Sequence, residues 1–163
     1  MKVAQMASSI FIVDSLTWAP DWVWELTLIV VTVVIHVLGL GLIGRRMVAV
    51  SDPTIERRHP AVRYVVVVGA ATLLATSMHA SEAGIWAAAY RFLGALPDQR
   101  RAMLYSLNAI TSYGHASVSL ENQWELLGAL EALNGWLLFG LTTAFLFAMI
   151  VKVWSLGNKE GQL

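Results

Sequence analysis

Residues 102–149 read AMLYSLNAITSYGHASVSLENQWELLGALEALNGWLLFGLTTAFLFAM. A short segment with an apolar face comes first, followed by a polar stretch that holds one glycine, Gly114, and then by a long apolar stretch. Polar, irregular backbone is tolerated at membrane depth only where it lines water or packs against protein. This order therefore predicts a pore loop, in which a half-helix and a polar loop precede a full membrane span.

The composition also indicates a membrane protein. Hydrophobic residues make up 57% of the chain and charged residues only 13%, with a mean hydropathy of +0.63. A soluble domain carries about 25% charged residues. A net charge of zero gives no reason to expect a nucleic-acid partner, and the absence of cysteine excludes disulfides and thiolate sites. No set of nucleophile, base and oxyanion donors is recognisable, so the protein is not expected to be an enzyme.

Three apolar stretches are long enough to cross a bilayer, which requires about 20 residues at 1.5 Å each. They run from Trp22 to Gly44, from Ala61 to about Ala80, and from Leu126 to Trp154. The second helix is expected to continue to Gly94, because no helix breaker comes before Pro97. The predicted fold class is thus all-α, with three transmembrane helices and a re-entrant pore helix with its filter loop.

Charged residues predict the orientation of the spans. The loop between the first two spans holds Arg45, Arg46, Arg57 and Arg58, which places it in the cytoplasm. The N-terminus is then outside and the C-terminus inside. Acidic residues fall on the other side and predict an acidic outer mouth that concentrates cations: Asp14, Asp21, Glu25, Glu82, Asp98, Glu121, Glu125 and Glu131.

A short helix is expected between Pro97 and Thr111. Pro97 and Asp98 provide the start signals, and Met103, Leu104 and Leu107 supply an apolar face. A helix of about 13 residues reaches roughly 20 Å, which is too short for a hydrocarbon core of about 30 Å. It would enter from the outside and direct its negative C-terminal end, which attracts cations, toward the middle of the membrane.

Residues 79–150 resemble the bacterial two-transmembrane, pore-loop potassium channel family. The sequence AMLYSL at 102–107 is similar to that family's pore helix, and LGALEALNG at 127–135 with Phe139-Gly140 is similar to its inner helix. The resemblance implies a homotetramer in the lipid of the inner membrane of a bacterium that conducts a monovalent cation, K⁺ or Na⁺, and needs no other cofactor. It also implies that Gly140 is the hinge of the inner gate and that the first span is an extra helix added to the family's two-helix plan.

The resemblance places the ion filter at Thr111, Ser112, Tyr113, Gly114, His115, Ala116 and Ser117. When this segment is aligned with the family's filter without a gap, His115 takes the place of the filter tyrosine and Ala116 that of the second filter glycine. A second alignment, with one residue deleted, matches Tyr113-Gly114 to the Tyr-Gly of the filter. An alanine at a position of positive φ costs about 1 to 2 kcal/mol per chain. We therefore expect weak discrimination between K⁺ and Na⁺. His115 either hydrogen-bonds behind the filter or faces the axis in a ring that blocks cations in acid.

Other polar residues have predicted roles at or near the pore. Glu121 and Glu125 are expected at the outer mouth, and Thr142 or Thr143 at the central cavity. His79 and Glu82, three residues apart on one helical face, are interpreted as a buried polar pair that braces the pore helix and so supports the filter. Two ligands rarely suffice for a metal, so no metal site is predicted, and a metal or proton site is the alternative. His36, within the first span, is expected to hydrogen-bond the backbone of a neighbouring helix.

Two alternative functions remain open from the sequence. A non-conducting, channel-like scaffold is compatible with the altered filter. A haem-binding membrane subunit ligated by His36 and His79 is disfavoured, because the predicted spans place His36 in the inner half of the membrane and His79 near the outer end. The chain is divided into an N-terminal helix with its basic loop, a pore domain and a short cytoplasmic tail, at residues 1–60, 61–155 and 156–163.

Overall fold

A computed structural model describes residues 19–49, 60–114 and 118–160, with side chains over 23–47, 61–114 and 118–154. The described residues form four α-helices, α1 (Ala19–Ala49), α2 (Pro60–Phe92), α3 (Gln99–Ile110) and α4 (Glu125–Glu160), and a 3-10 turn at Asn122–Trp124 precedes α4. Three segments are long and apolar enough to cross a membrane: Val23–Met47, Ala61–Phe92 and Asn122–Trp154. The prediction of an all-α protein with three candidate spans is confirmed. Because α4 continues to Glu160, the predicted tail begins inside a helix.

The three long helices pack side by side, each in contact with the other two. At one end, called here the loop end, the rings of Trp24 on α1 and Phe92 on α2 lie 6.3 Å apart. At the opposite end, the tail end, Tyr64 on α2 and Trp154 on α4 make an edge-on ring contact at 6.2 Å. These contacts place the start of α1 beside the end of α2, and the start of α2 beside the end of α4.

Helix α3 confirms the predicted short helix. The Asp98 carboxylate caps its first turn and accepts a hydrogen bond of 2.8 Å from the backbone N–H of Arg101. Its 12 residues span about 18 Å, less than the thickness of a hydrocarbon core. The preceding helix ends at Phe92, two residues before the predicted Gly94, which has a φ of +74° in the turn to α3.

Small residues let α3 approach the long helices closely. Ala83 and Ala87 on α2 and Ala102 on α3 are fully buried. On the side of α4, a Cβ added to Gly128 would lie 2.1 Å from the hydroxyl of Tyr105. Small side chains at transmembrane contacts allow such approach, because they leave room for the opposing helix. Helix α3 is therefore held between α2 and α4.

Two apolar clusters stabilise the ends of the bundle. At the loop end Tyr90 and Tyr105 stack edge to face at 5.1 Å, beside the fully buried Trp86 and the leucines Leu96, Leu120 and Leu127. At the tail end the buried cluster contains Leu40, Ile43, Ala71, Ala75 and Met149. Many other large apolar side chains are exposed along the outer faces of the three long helices. Such surfaces are suited to lipid or to another protein chain.

Candidate functional site

The first candidate site is the loop that follows α3. The N–H of Ser112 bonds the carbonyl of Ala109, and that of Tyr113 bonds the carbonyl of Asn108, both at 2.9 Å. These two bonds, with Ser112 in the left-handed region at φ 53°, form a Schellman motif. Thr111 and Ser112 thus form a turn at the end of the helix, rather than the start of an extended filter strand.

Side chains fix this turn to the neighbouring helices. The indole N–H of Trp136 on α4 donates to the hydroxyl of Ser112 at 2.8 Å, and the Thr111 hydroxyl donates to the Leu107 carbonyl at 2.6 Å. Gly114 has a φ of +97°, as expected of a glycine at a sharp change of chain direction. Thr111, Ser112, Tyr113 and Gly114 are all exposed, whereas His115, Ala116 and Ser117 lie outside the described residues.

The loop that follows α3 begins beside α4, at a point part of the way along that helix. A Cβ added to Gly135 would lie 2.1 Å from the carbonyl oxygen of Ile110, the last residue of α3. Gly135 stands ten residues after Glu125, which corresponds to about 15 Å along α4. A cavity of about 450 Å³ opens beside this contact, and its lining includes Thr76, His79, Thr111, Ser112, Trp136 and Phe139. The cavity connects the loop to α2.

The second candidate site is a stripe of buried polar side chains, called here the polar spine. Its members recur at intervals of three, four, seven or eight residues along each long helix, so they share one helical face. They are Glu25, Thr32 and His36 on α1; His79, Glu82 and Tyr90 on α2; Ser106 on α3; and Glu131, Asn134 and Thr142 on α4. All are buried except His79, which is partly exposed. The spine runs through the interior between the helices.

The part of the spine nearest the loop end centres on Glu131. Its carboxylate accepts a hydrogen bond of 2.7 Å from the hydroxyl of Tyr90 and contacts the hydroxyl of Ser106. Ser106 also lies 2.7 Å from the carbonyl oxygen of Ala83, which can only accept. One hydroxyl hydrogen cannot serve both neighbours, so a proton on Glu131 donated to Ser106 satisfies every contact. This cluster connects α2, α3 and α4.

A second contact of the spine joins the first and last helices. The side-chain amide of Asn134 donates to the hydroxyl of Thr32 at 2.8 Å, and both residues are fully buried. The Thr32 hydroxyl in turn lies 2.8 Å from the backbone carbonyl oxygen of Leu28 and 3.1 Å from that of Ile29, both on its own helix. The pair fixes the rotation of α1 against α4, because a buried amide that loses its partner is costly.

Nearer the middle of the bundle, four side chains form a closed ring. Nδ1 of His36 lies 2.8 Å from Oε1 of Glu82, and its Nε2 lies 2.9 Å from the Thr142 hydroxyl. The same hydroxyl lies 3.0 Å from Nε2 of His79, whose Nδ1 is 3.5 Å from Oε2 of Glu82. The two imidazole rings are 5.0 Å apart. The ring connects α1, α2 and α4.

This ring corrects the predicted depth of the histidines. The sequence predicts His36 in the inner half of the membrane and His79 near the outer end, yet the two imidazole rings lie side by side, 5.0 Å apart. His36 is thirteen residues after Val23 on α1 and His79 is thirteen residues before Phe92 on α2, so both lie at a similar distance from the loop end. His36 also bonds side chains rather than a helix backbone.

The predicted partners of the His79–Glu82 pair also differ from those observed. The two side chains do lie on one helical face, but their polar contacts are to His36 and Thr142 and not to α3. Thr142 is buried in the ring, while Thr143 is exposed and donates to the Phe139 carbonyl. Of the two threonines predicted at a central cavity, Thr142 is therefore buried within its own chain and does not face such a cavity.

The predicted acidic mouth is smaller than expected. Glu25, Glu82 and Glu131 are buried between helices, so they do not contribute to a solvated outer surface. Glu121 and Glu125 are exposed at the loop end, where Gln123 donates to Glu121 at 3.1 Å. Asp98 serves as the helix cap of α3. Asp14 and Asp21 lie outside the residues whose side chains are described.

The sequence did contain a signal for the spine. Apolar spans rarely carry ionisable residues, and those that occur face the bundle interior. In α2 the spacing His79, Glu82, Tyr90, and in α4 the spacing Glu131, Asn134, Thr142, places each set on one face. Taken singly, or as a local pair such as His79 and Glu82, these residues do not show which side chains of the other helices they meet. Each of the three spans has one polar face, and together these faces indicate that the polar residues meet in the interior.

Comparison with protein-family models, with curated proteins and with solved structures found no match to this chain. The resemblance to pore-loop potassium channels therefore rests on the residues of the sequence alone.

Proposed function

We propose that this chain forms a homotetrameric pore-loop cation channel related to potassium channels. The observation that carries the proposal is the position of α3, a half-length helix held between two long helices with its C-terminal end against Gly135. A helix too short to cross a bilayer, ending beside the middle of a candidate span, is consistent with re-entry from one face of the membrane.

The loop after α3 supports a water-lined position. Four consecutive residues, Thr111 to Gly114, are exposed, and Tyr113 exposes 82% of its surface although it is large and aromatic. Polar backbone at this depth is unfavourable against lipid, since water is not available there to satisfy its hydrogen bonds. Assembly around a shared axis would remove these groups from lipid and place them along a path for ions.

A single copy cannot enclose such a path, so the function belongs to an oligomer. Helix α4 exposes Trp136, Phe139 and Phe147 along its outer surface. In a closed ring of four subunits these side chains would pack against neighbouring copies. Gly140 supports a role as hinge, because a Cβ added there meets no atom within 4 Å. Close packing within the chain explains why residue 135 is a glycine, but it does not explain the glycine at position 140.

The permeant ion follows from the chemistry of the loop. The C-terminal end of α3 is negative and Glu121 and Glu125 are exposed at the loop end, so the site favours cations. Conventional filters replace the hydration shell of K⁺ with rings of backbone carbonyls. The replacement of a filter glycine by Ala116 makes that geometry unfavourable, and we infer weak discrimination between K⁺ and Na⁺.

One observation favours the alternative of a non-conducting scaffold. The carbonyls of Asn108 and Ala109, near the negative end of α3, accept hydrogen bonds from the N–H groups of Tyr113 and Ser112. Carbonyls occupied in this way are weaker ligands for a passing cation. A protein that retained the architecture of the channel but held the loop closed would bind partners in the membrane without conducting.

The haem alternative has little geometric support. A haem with two histidine ligands lies between their imidazoles. Nε2 of His36 and Nε2 of His79 instead lie 2.9 Å and 3.0 Å from the same threonine hydroxyl. No porphyrin plane fits between two rings that share so small a partner. A colourless purified protein would exclude this function.

The proposal is tested by reconstituting the purified protein in liposomes. Flux of K⁺, Na⁺ and a large organic cation is measured under matched gradients at pH 7.5 and pH 5.5, and the subunit number is determined by native mass spectrometry. We expect tetramers that conduct K⁺ and Na⁺ at similar rates and exclude the organic cation. Tetramers that are silent at both pH values would support the scaffold, and a monomer would refute both functions.

A matched pair of variants links the flux to the loop. Neither Gly114 nor Gly69 has an atom within 4 Å of an added Cβ, but only Gly114 has a positive φ. Gly114→Ala should therefore reduce flux through strain in the loop, whereas Gly69→Ala, in the middle of α2, should not. Equal flux through both variants would place the ion path elsewhere.

A further inference from the structure

We propose that His36, His79 and Glu82 bind one divalent transition-metal ion, with zinc as the ion of choice. Ligand atoms of these three side chains all lie within 4.8 Å of one another. They come from two helices, and Thr142 on a third completes the ring around them. The proposal concerns the interior of each subunit and does not depend on conduction.

With both imidazoles neutral and Glu82 ionised, the ring has one hydrogen fewer than its contacts, and a proton or a metal cation could take that place. Each neutral imidazole carries one ring hydrogen, the Thr142 hydroxyl carries one, and an ionised Glu82 carries none. Four contacts therefore share three hydrogens. The remaining contact is the longest, at 3.5 Å between Nδ1 of His79 and Oε2 of Glu82. That carboxylate oxygen is buried and has no hydrogen-bond partner.

Thr142 can hold both histidines in the orientation that a metal needs. Its oxygen has two lone pairs, so it can accept the Nε2–H of His36 and the Nε2–H of His79 at the observed 2.9 Å and 3.0 Å. Both Nδ1 lone pairs then face the carboxylate of Glu82. Metal-bound histidines generally donate their other ring N–H in this way, which fixes the tautomer.

The ligand set matches known preferences of zinc. Imidazole nitrogen with carboxylate oxygen suits zinc and related divalent ions, and two histidines with one glutamate leave a coordination position open. Ligands spaced i and i+3 on one helix, as His79 and Glu82 are, recur in metal sites within helical bundles. The ion pairs of Glu82 are both to histidines, so its buried charge has no permanent cation beside it among the described residues.

A route of entry is present. His36 and Glu82 are fully buried, but the side chain of His79 is 24% exposed and forms part of the cavity that also contains Thr111 and Ser112. An ion entering this cavity would reach His79 first and then the carboxylate. Occupancy would restrain α4 at Thr142, two residues after Gly140, and would connect α1 firmly to the other spans.

The experiment measures zinc and cobalt binding to the purified, chelator-treated protein. We expect about one ion per chain by elemental analysis, a visible Co²⁺ spectrum of nitrogen and oxygen ligands, and a higher melting temperature with Zn²⁺. His36→Ala, His79→Ala and Glu82→Gln should each abolish binding. Glu131→Gln is the matched control, since it alters another buried carboxylate of the spine. Thr142→Val should weaken binding by about 10- to 100-fold through loss of orientation.

The proposal would be overturned if the native protein stayed free of metal after loading. The four side chains would then form a hydrogen-bonded ring that holds a proton in place of the ion. Binding that persists equally in the three ligand variants would overturn it as well. If those variants do not fold, X-ray absorption of the zinc-loaded native protein decides: a shell with two imidazoles and a carboxylate supports the site, and any shell lacking two imidazoles refutes it.

Discussion

The carbonyl oxygen of Ile110 lies directly against Gly135, so that the end of α3 contacts the backbone of α4 with no side chain between them. Gly135→Ala would place a Cβ 2.1 Å from that oxygen, and backbone atoms cannot move aside cheaply. We expect the variant to lose about 1 to 3 kcal/mol of stability. Thermal unfolding in detergent measures the effect.

Gly69→Ala is the control for this substitution, because an added Cβ there meets no atom within 4 Å. A helical glycine replaced by alanine gains about 0.5 to 1 kcal/mol. A Gly135→Ala protein as stable as Gly69→Ala would mean that α3 does not rest on α4 as described.

Glu131 should tolerate replacement by glutamine but not by leucine. A glutamine amide can donate to Ser106 and accept from Tyr90, as a protonated glutamate does, so Glu131→Gln should remain close to native stability. Glu131→Leu leaves the buried Tyr90 hydroxyl without a partner and should cost about 1 to 3 kcal/mol. Melting temperatures of the two variants distinguish these cases, and a destabilised glutamine variant would argue for an ionised Glu131.

Thr142 and Thr143 are adjacent in sequence but differ in their surroundings. Thr142→Val removes the oxygen shared by His36 and His79 and leaves the buried Nε2 of His36 without a partner, at a cost of about 1 to 3 kcal/mol. Thr143→Val affects an exposed hydroxyl that bonds only its own helix, so little change is expected. Equal melting temperatures for the two variants would contradict the closed ring.

Gly140 is predicted to affect opening of the channel without affecting its fold. Gly140→Ala has open space around the new methyl group and should raise helix stability. If α4 bends at this position, the stiffer helix should reduce open probability in single-channel recordings while the unitary conductance stays the same. An unchanged open probability would remove Gly140 as the hinge.

The filter register is tested by the double variant His115→Tyr with Ala116→Gly. In the ungapped register these changes restore the tyrosine and the second glycine of the potassium channel pattern, so permeation should shift toward K⁺ over Na⁺. Reversal potentials under ionic gradients of both cations measure the shift. An unchanged ratio would favour the register that pairs Tyr113-Gly114 with Tyr-Gly, or a path that avoids the loop.

Local signals were sufficient to locate the elements of the fold. Apolar length predicted the three candidate spans, and Pro97 with Asp98 predicted the start of α3 to within one or two residues. The start of the loop after Ile110 followed from the same pattern, and residues 111–114 lie in this loop. These features depend on short stretches of chain, namely on hydrophobic length and on the capping of helix ends.

The sequence by itself determined that the protein is all-helical, with three helices long and apolar enough to cross a membrane and a half-length helix before the last of them. Only the tertiary structure decided that His36 and His79 lie at one depth, that Glu131 is buried beneath Tyr90, and that Thr142 faces inward. The rotation and relative height of each helix depend on which faces pack together. Those faces are chosen by close contacts such as Gly135 against Ile110 and by the pairing of buried polar groups, which no single span contains.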